Sequence, residues 1–116
     1  MDVVAQMQEQ IRTGVVSKTI NPDMQGKHIL GHKEYRQGRS YLLEGVDAQG
    51  LVDRYSGTGH AIEEKKTGKW KCREAIDADV DIGVNIDPIT GEQTLTNRFT
   101  IHYSKSRTHI VPSRRR

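Results

Sequence analysis

The stretch "IHYSKSRTHIVP", residues 101 to 112, sets His102 and His109 on either side of a polar loop. Just before it, Phe99, Ile101 and Tyr103 alternate with Arg98, Thr100, His102 and Ser104. Alternation with period two marks a strand with one face toward a core. If a hairpin turns at Lys105 and Ser106, His102 faces His109, Tyr103 faces Thr108, and Ser104 faces Arg107. Directly opposed residues share one sheet face, with Cβ atoms about 5 Å apart. Both imidazoles then stand on the polar face with Arg98, Thr100 and Ser104. A slip of one residue would separate them. Lys105-Ser106 is not a favoured two-residue turn, so a longer loop is an alternative.

Two imidazoles, an arginine and hydroxyls on an open sheet face suit metal-independent cleavage of RNA. That reaction needs a base for the ribose 2′-OH and an acid for the leaving 5′-oxygen, and histidine fills both roles near neutral pH. Arg or Lys offsets charge in the phosphorane-like transition state, and hydroxyls hold the phosphate. Exposed sheet residues with no function can show the same alternation, so the pattern alone does not choose between the two.

Other groupings are weaker. "GHKEYRQGRSYL", residues 31 to 42, is also crowded with protonatable groups. His28 and His32 have the i, i+4 spacing of a metal pair on a helix. Gly26, Gly31 and Gly38 argue against a helix there, and no acids cluster nearby. Asp77, Asp79 and Asp81 alternate as in some calcium loops, but without the glycine and distal glutamate; they read as a solvated strand edge. Cys72 has Lys71 and Arg73 beside it and no evident partner, so it reads as a small, half-buried residue. As the only cysteine, it excludes an internal disulfide framework and a Cys-rich zinc site. "GTGH" and "TGKW" are glycine turns, and neither completes a phosphate-binding loop.

The elements that must position these groups are legible in outline. Val3 to Ile11 reads as a helix with Val4, Met7 and Ile11 on one side and Gly14 as its stop. "INPDMQGKHILG" is turn-rich, and "RSYLLEG" contains a short strand. "VDAQGLVDRYSGTG" reads as a helix starting near Asp47, with Leu51, Val52 and Tyr55 as its apolar stripe and Gly57 at its end. Gly50 weakens it by about 1 kcal/mol relative to Ala. Beyond Gly59 the period changes: "GKWKCREAIDA", "DIGVNID", "TNRFTIHYS" and "THIVPS" read as strands, with "PITG" as a turn. Helices followed by an antiparallel meander define an α+β domain.

The chain has 116 residues, 34% of them hydrophobic, with a mean hydropathy of −0.73. That permits one domain with a thin core, and no apolar run is long enough to cross a bilayer. Net charge is +3, but unevenly spread. Residues 95–116 carry bases and no acid, and residues 77–92 carry acids and no base. The split fits a basic surface for a polyanion; a merely solvated surface with a disordered arginine tail fits it as well.

Taken together, "INPDMQGKHILGHKEYRQGRSYL", "LVDRYSGTG", "GKW" and "IDPITGEQTLTNRFTIHYSKSRTHIVP" resemble the polymorphic toxin type 50 domain. The resemblance covers roughly residues 19 to 113, leaving 1–18 as an N-terminal helix or linker from a larger protein and 114–116 as a basic tail. That family occurs at the C-termini of bacterial polymorphic toxins and of phage head-morphogenesis proteins. It is predicted to hold an RNase of the barnase/EndoU/colicin/RelE-like fold, with N-terminal helices followed by a four-stranded antiparallel sheet. The resemblance implies His28, from "KHI", and His109 as the acid–base pair, with His102 as a second candidate. It also implies Arg39 and Lys105 as charge stabilisers, and Ser40, Thr58, Ser104 and Thr108 as phosphate-positioning hydroxyls. Lys27, Lys69, Arg98, Tyr103 and Arg107 would complete an RNA-binding surface. His32 and Arg107 depart from the family pattern, where another residue (often Thr) and a small residue (often Gly) are usual. The implied activity is an endoribonuclease leaving a 2′,3′-cyclic phosphate, with no cofactor or metal. The implied setting is a secreted or delivered monomeric effector acting in the cytoplasm of a target bacterium and neutralised by an acidic immunity protein. The alternative is a non-catalytic module that binds RNA or protein through a basic sheet face.

Overall fold

The computed structural model describes residues 1–116. Helix α1 spans Val3–Thr13. Asp2 starts it by accepting the Ala5 N–H at 2.8 Å, and Gly14 ends it in the left-handed conformation at φ 78°, where glycine carries no steric penalty. Met7 is fully buried, with Val3 and Ile11 packed beside it. Val4 points outward, one position off the expected stripe. The Gln6 side chain accepts the Trp70 N–H at 2.9 Å, which ties this helix to the sheet.

Helix α2 (Pro22–Gly26) follows, with Pro22 at its first position and the Asn21 side chain capping Met24 N at 3.0 Å. It is five residues long, too short to show a period, which is why the sequence reads there only as turns. Strand β1 (Tyr41–Leu42), helix α3 (Ala48–Tyr55) and strands β2 (His60–Glu63), β3 (Trp70–Asp77), β4 (Gly83–Ile86), β5 (Gln93–Thr96), β6 (Arg98–His102) and β7 (His109–Pro112) complete the chain. The expected helix at Asp47 and strands at "GKWKCREAIDA", "DIGVNID", "TNRFTIHYS" and "THIVPS" are all present.

The strands form two antiparallel sheets. One has four strands in the order β2-β3-β6-β7; the other has three, in the order β1-β4-β5. The fold is α+β with a four-stranded antiparallel sheet as expected, but β4, from "DIGVNID", pairs in a second sheet and β2, which the sequence pattern does not mark, takes a place in the first. The second sheet escapes a pattern reading because β1 has two residues and Gln93, Thr94 and Leu95 of β5 are all exposed, so neither strand alternates. The sheets meet at Gly83, where a Cβ would lie 2.8 Å from both the Pro112 ring and the Tyr41 carbonyl oxygen.

Phe99, Ile101 and Ile110 point inward from β6 and β7 and are fully buried, with Ile76, Ile82, Val52 and Met7 around them. Burying each such side chain contributes about 1.5–3 kcal/mol. Glu74 also faces inward and is 0% exposed. Its carboxylate accepts Gly57 N at 3.0 Å, Gly59 N at 2.7 Å and the Tyr103 hydroxyl at 2.7 Å. A buried carboxylate persists only when its lone pairs are satisfied in this way, and here it fastens the "SGTG" loop, residues 56–59, to the sheet.

Three aspartates of the acidic segment are paired in space, two of them with arginines of the basic segment. Asp77 pairs with Arg98 at 2.9 Å, Asp79 with Arg54 at 2.8 Å, and Asp81 with Arg115. Arg115 of the arginine tail therefore folds back onto an acid.

Candidate active site

The four-stranded sheet has one face on the core and one open, and the register decides which residues share the open face. Arg73 of β3 lies opposite His102 of β6, and His102 lies opposite His109 of β7. The neighbouring row, Glu74–Ile101–Ile110, points inward. Arg73, His102 and His109 thus form one row across three strands. The His102 and His109 rings stack with centroids 5.1 Å apart, at 26°.

The expected register of the last hairpin is the one observed, closed by a longer loop than two residues. The Ser104 hydroxyl oxygen accepts Ser106 N at 3.1 Å and Arg107 N at 2.7 Å. The fully buried Thr108 hydroxyl accepts Ser104 N at 3.0 Å and donates toward the carbonyls of Ser17 (2.7 Å) and Ser104 (3.0 Å). These side-chain turns replace the tight-turn residues the loop lacks.

His28 arrives from the other end of the chain. The buried Gln25 side chain donates to the Ile110 carbonyl at 2.9 Å and accepts Ile110 N at 2.7 Å, so α2 docks against β7 through a single amide. Three residues later, the His28 backbone carbonyl accepts Leu42 N at 2.9 Å, and its ring Nδ1 donates to the Ser40 carbonyl at 2.9 Å. The ring then lies parallel to His109, centroids 6.1 Å apart and 7° between planes. His109 Nδ1 likewise donates to a backbone carbonyl, that of Arg107, at 3.0 Å. With Nδ1–H committed in both rings, the neutral imidazoles keep their lone pairs on Nε2.

Burial, first of all, pushes all three imidazoles below the ordinary histidine range. Further lowering comes from Arg39 and Lys27 at His28, and from Lys27, Arg107 and Arg73 at His109. His102 is lowered to about 4 by burial, then by Arg73 and the other two rings. Every charged side chain acting on the three rings is a cation or another histidine. Uncompensated positive charge around neutral imidazoles is an environment completed by an anion.

A stability consequence follows directly. Imidazoles depressed in the folded state bind fewer protons there than in the unfolded chain, whose value is about 6.5. Their contribution is fully present above that value and is lost as pH falls through the folded values toward about 4. The midpoint of urea unfolding is expected to be lower at pH 5 than at pH 7.5, and His102→Ala to flatten that dependence.

The other residues singled out from sequence are placed as follows. Ser40 supports the site through its carbonyl, while its hydroxyl accepts Ile86 N at 2.9 Å and donates toward Asn85 at 3.4 Å, holding β4. Arg39, Lys27 and Arg107 lie close enough to act on the rings, and Lys105 is exposed at the loop tip. Four positions do not join the cluster. Thr58 donates to the Tyr55 carbonyl at 2.6 Å, ending α3. Tyr103 is buried, its phenol held between Ser56 and Glu74. Arg98 is paired with Asp77, and Lys69 lies in the β2–β3 turn. Ser104 and Thr108 build the loop that presents His109. No three His, Cys, Asp or Glu side chains converge as metal ligands, and the His32 Nδ1 accepts Glu34 N at 3.0 Å.

Arg73 is the residue a sequence reading misses. Its place beside His102 depends on the β3–β6 register, which no local pattern encodes. Cys72, just before it, has φ 60°, a left-handed conformation uncommon outside glycine that redirects the strand as a bulge does. Burial raises the Cys72 thiol's pKa, so its shape matters here more than its nucleophilicity.

Helices thus pack on the inner face of an antiparallel sheet, and a histidine row with cations beside it lies on the other face. Residues 20–112 match the bacterial toxin 50 family, and the chain belongs to that family. It is therefore a bacterial polymorphic toxin domain, a type of delivered effector generally paired with an immunity protein. No curated protein matches it. No helix is long and apolar enough to cross a membrane.

Proposed function

We propose that the domain is a metal-independent endoribonuclease that cleaves RNA by attack of the ribose 2′-OH on the adjacent phosphate. The observation that carries this reading is the His28–His109 pair. Its parallel rings are 6.1 Å apart, each is fixed by an Nδ1 hydrogen bond, and cations surround them. An in-line displacement puts the attacking and leaving oxygens on opposite sides of phosphorus, each about 3 Å from its own imidazole nitrogen. The spacing of the two rings suits that arrangement.

In this mechanism Nε2 of one imidazole takes the 2′-OH proton as the oxygen bonds to phosphorus. The P–O5′ bond breaks, and the other histidine, entering as imidazolium, protonates the 5′-oxygen. The products are a 2′,3′-cyclic phosphate and a 5′-OH. Arg73, Lys27, Arg39 and Arg107 offset charge on the phosphate, and its arrival raises the depressed imidazole values so that one ring holds a proton. His102, lowest of the three, stays neutral and braces His109. The hydroxyls of Ser40, Ser104, Thr58 and Thr108 act by holding backbone.

The domain works as a monomer without cofactor, in the cytoplasm of a target bacterium. The partner that silences it is acidic and covers the cationic patch. The test is incubation of the purified domain with total RNA in EDTA. Cleavage leaving 2′,3′-cyclic phosphate ends is the expected result. Tight RNA binding with no cleavage would favour a non-catalytic binding module instead.

A further inference from the structure

The loop between α2 and β1 connects the histidine site to a second recess. Gly38, Arg39, Ser40 and Tyr41 are consecutive. Arg39 and Ser40 belong to the histidine site: one lowers the His28 pKa and the other holds its ring. Gly38 and Tyr41 line an open cleft of about 600 Å³, with Tyr35, Gln37, Gln93 and Leu30 among its walls. No charged side chain lines it. Two of the four tyrosines lie here, their rings edge-to-face with centroids 6.3 Å apart. The Tyr35 hydroxyl donates to the Arg39 carbonyl at 2.8 Å, and Tyr41 donates to Gln93 Oε1 at 3.2 Å. The second bond orients the Gln93 amide so that its NH₂ group remains free to donate.

We infer that this cleft is a nucleobase subsite that holds one base next to the scissile phosphate and selects among bases. The inference rests on the ribonuclease reading for its substrate. A neutral lining of aromatic and amide side chains fits a planar, uncharged ring bearing donors and acceptors, whereas the cations beside the histidines fit its phosphate. Stacking on an aromatic ring is tolerant of base identity, and amide hydrogen bonds supply the discrimination. Consecutive Cα atoms are about 3.8 Å apart, so Gly38 and Tyr41 lie within a nucleotide's reach of the Ser40 carbonyl that fixes His28. With few aromatics in the chain, the sequence suggests mainly backbone reading; the fold gathers two of them at one place.

The experiment is titration of the folded domain with each of the four nucleoside 3′-monophosphates, followed by NMR of the Gln37 and Gln93 side-chain amides. Cleavage sites in RNA are mapped in parallel for the wild type and for Gln37→Ala and Gln93→Ala. Expected are shifts at those amides, one base bound about tenfold more tightly than the weakest, and loss of that preference in the variants. Equal affinities for all four, or shifts confined to the His28 and His109 rings, would overturn the subsite. A cleavage preference unchanged in both variants would also overturn it while leaving the nuclease intact. Selective nucleotide binding with no RNA cleavage would instead remove the nuclease reading and keep the base site.

Discussion

His28→Ala and His109→Ala are each expected to lower kcat/KM for RNA by about 10²- to 10⁴-fold, the range that a positioned acid or base contributes. The loss should appear in kcat, because each ring moves a proton in the transition state. The double variant should fall little further, since removing either ring breaks the same proton circuit. His28 is buried and His109 half-buried, but neither belongs to the apolar core, so circular dichroism should show the wild-type fold. The pH profile supplies a second readout. With both rings depressed, the optimum of kcat/KM should fall below the ordinary histidine value of about 6.5, and each single variant should lose one limb of the bell. Full activity in both variants would remove these residues from the mechanism even if RNA is the substrate.

Glu74→Leu is expected to destabilise the sheet strongly. Leucine is a good volume match, so little of the effect comes from packing. The cost comes from what remains: the N–H groups of Gly57 and Gly59 lose their acceptor in the interior, at about 1–3 kcal/mol each. Against a total stability of about 5–15 kcal/mol for a small domain, that is a large fraction. Urea unfolding should show a midpoint well below wild type with little change in slope. Glu74→Gln keeps one acceptor oxygen and should fall between the two. A Glu74→Leu midpoint equal to wild type would mean that the "SGTG" loop is held by other contacts.

What the sequence reveals and what it hides divides along physical lines. The β6–β7 hairpin was legible because one strand alternates cleanly and one face must be buried; from that, the opposition of His102 and His109 follows. Helices α1 and α3 were legible from their apolar stripes and stops. His28 entered through family resemblance, since its turn carries no period, and its position depends on Gln25 meeting Ile110 across 85 residues. Arg73 was invisible for a similar reason: a charged residue in a strand reads as solvent-facing until the partner strand is known. Conversely, Tyr103 and Thr108 lie within the family motif but serve the core and the loop. A motif marks positions that matter without separating those that touch a substrate from those that hold the scaffold. Strand β5 escaped because three of its four residues stay exposed even when it is paired with β4.

The amide bridge from Gln25 to Ile110 has one further effect. β7 is the outermost strand of its sheet, and such a margin ordinarily invites a foreign strand to zip alongside. Here Ile110's free backbone groups are already taken by a side chain, and Pro112 has no N–H to offer. A foreign strand therefore cannot extend this sheet along β7. The margin of the sheet nearest His109 is thus closed to strand pairing, and contacts there fall to side chains.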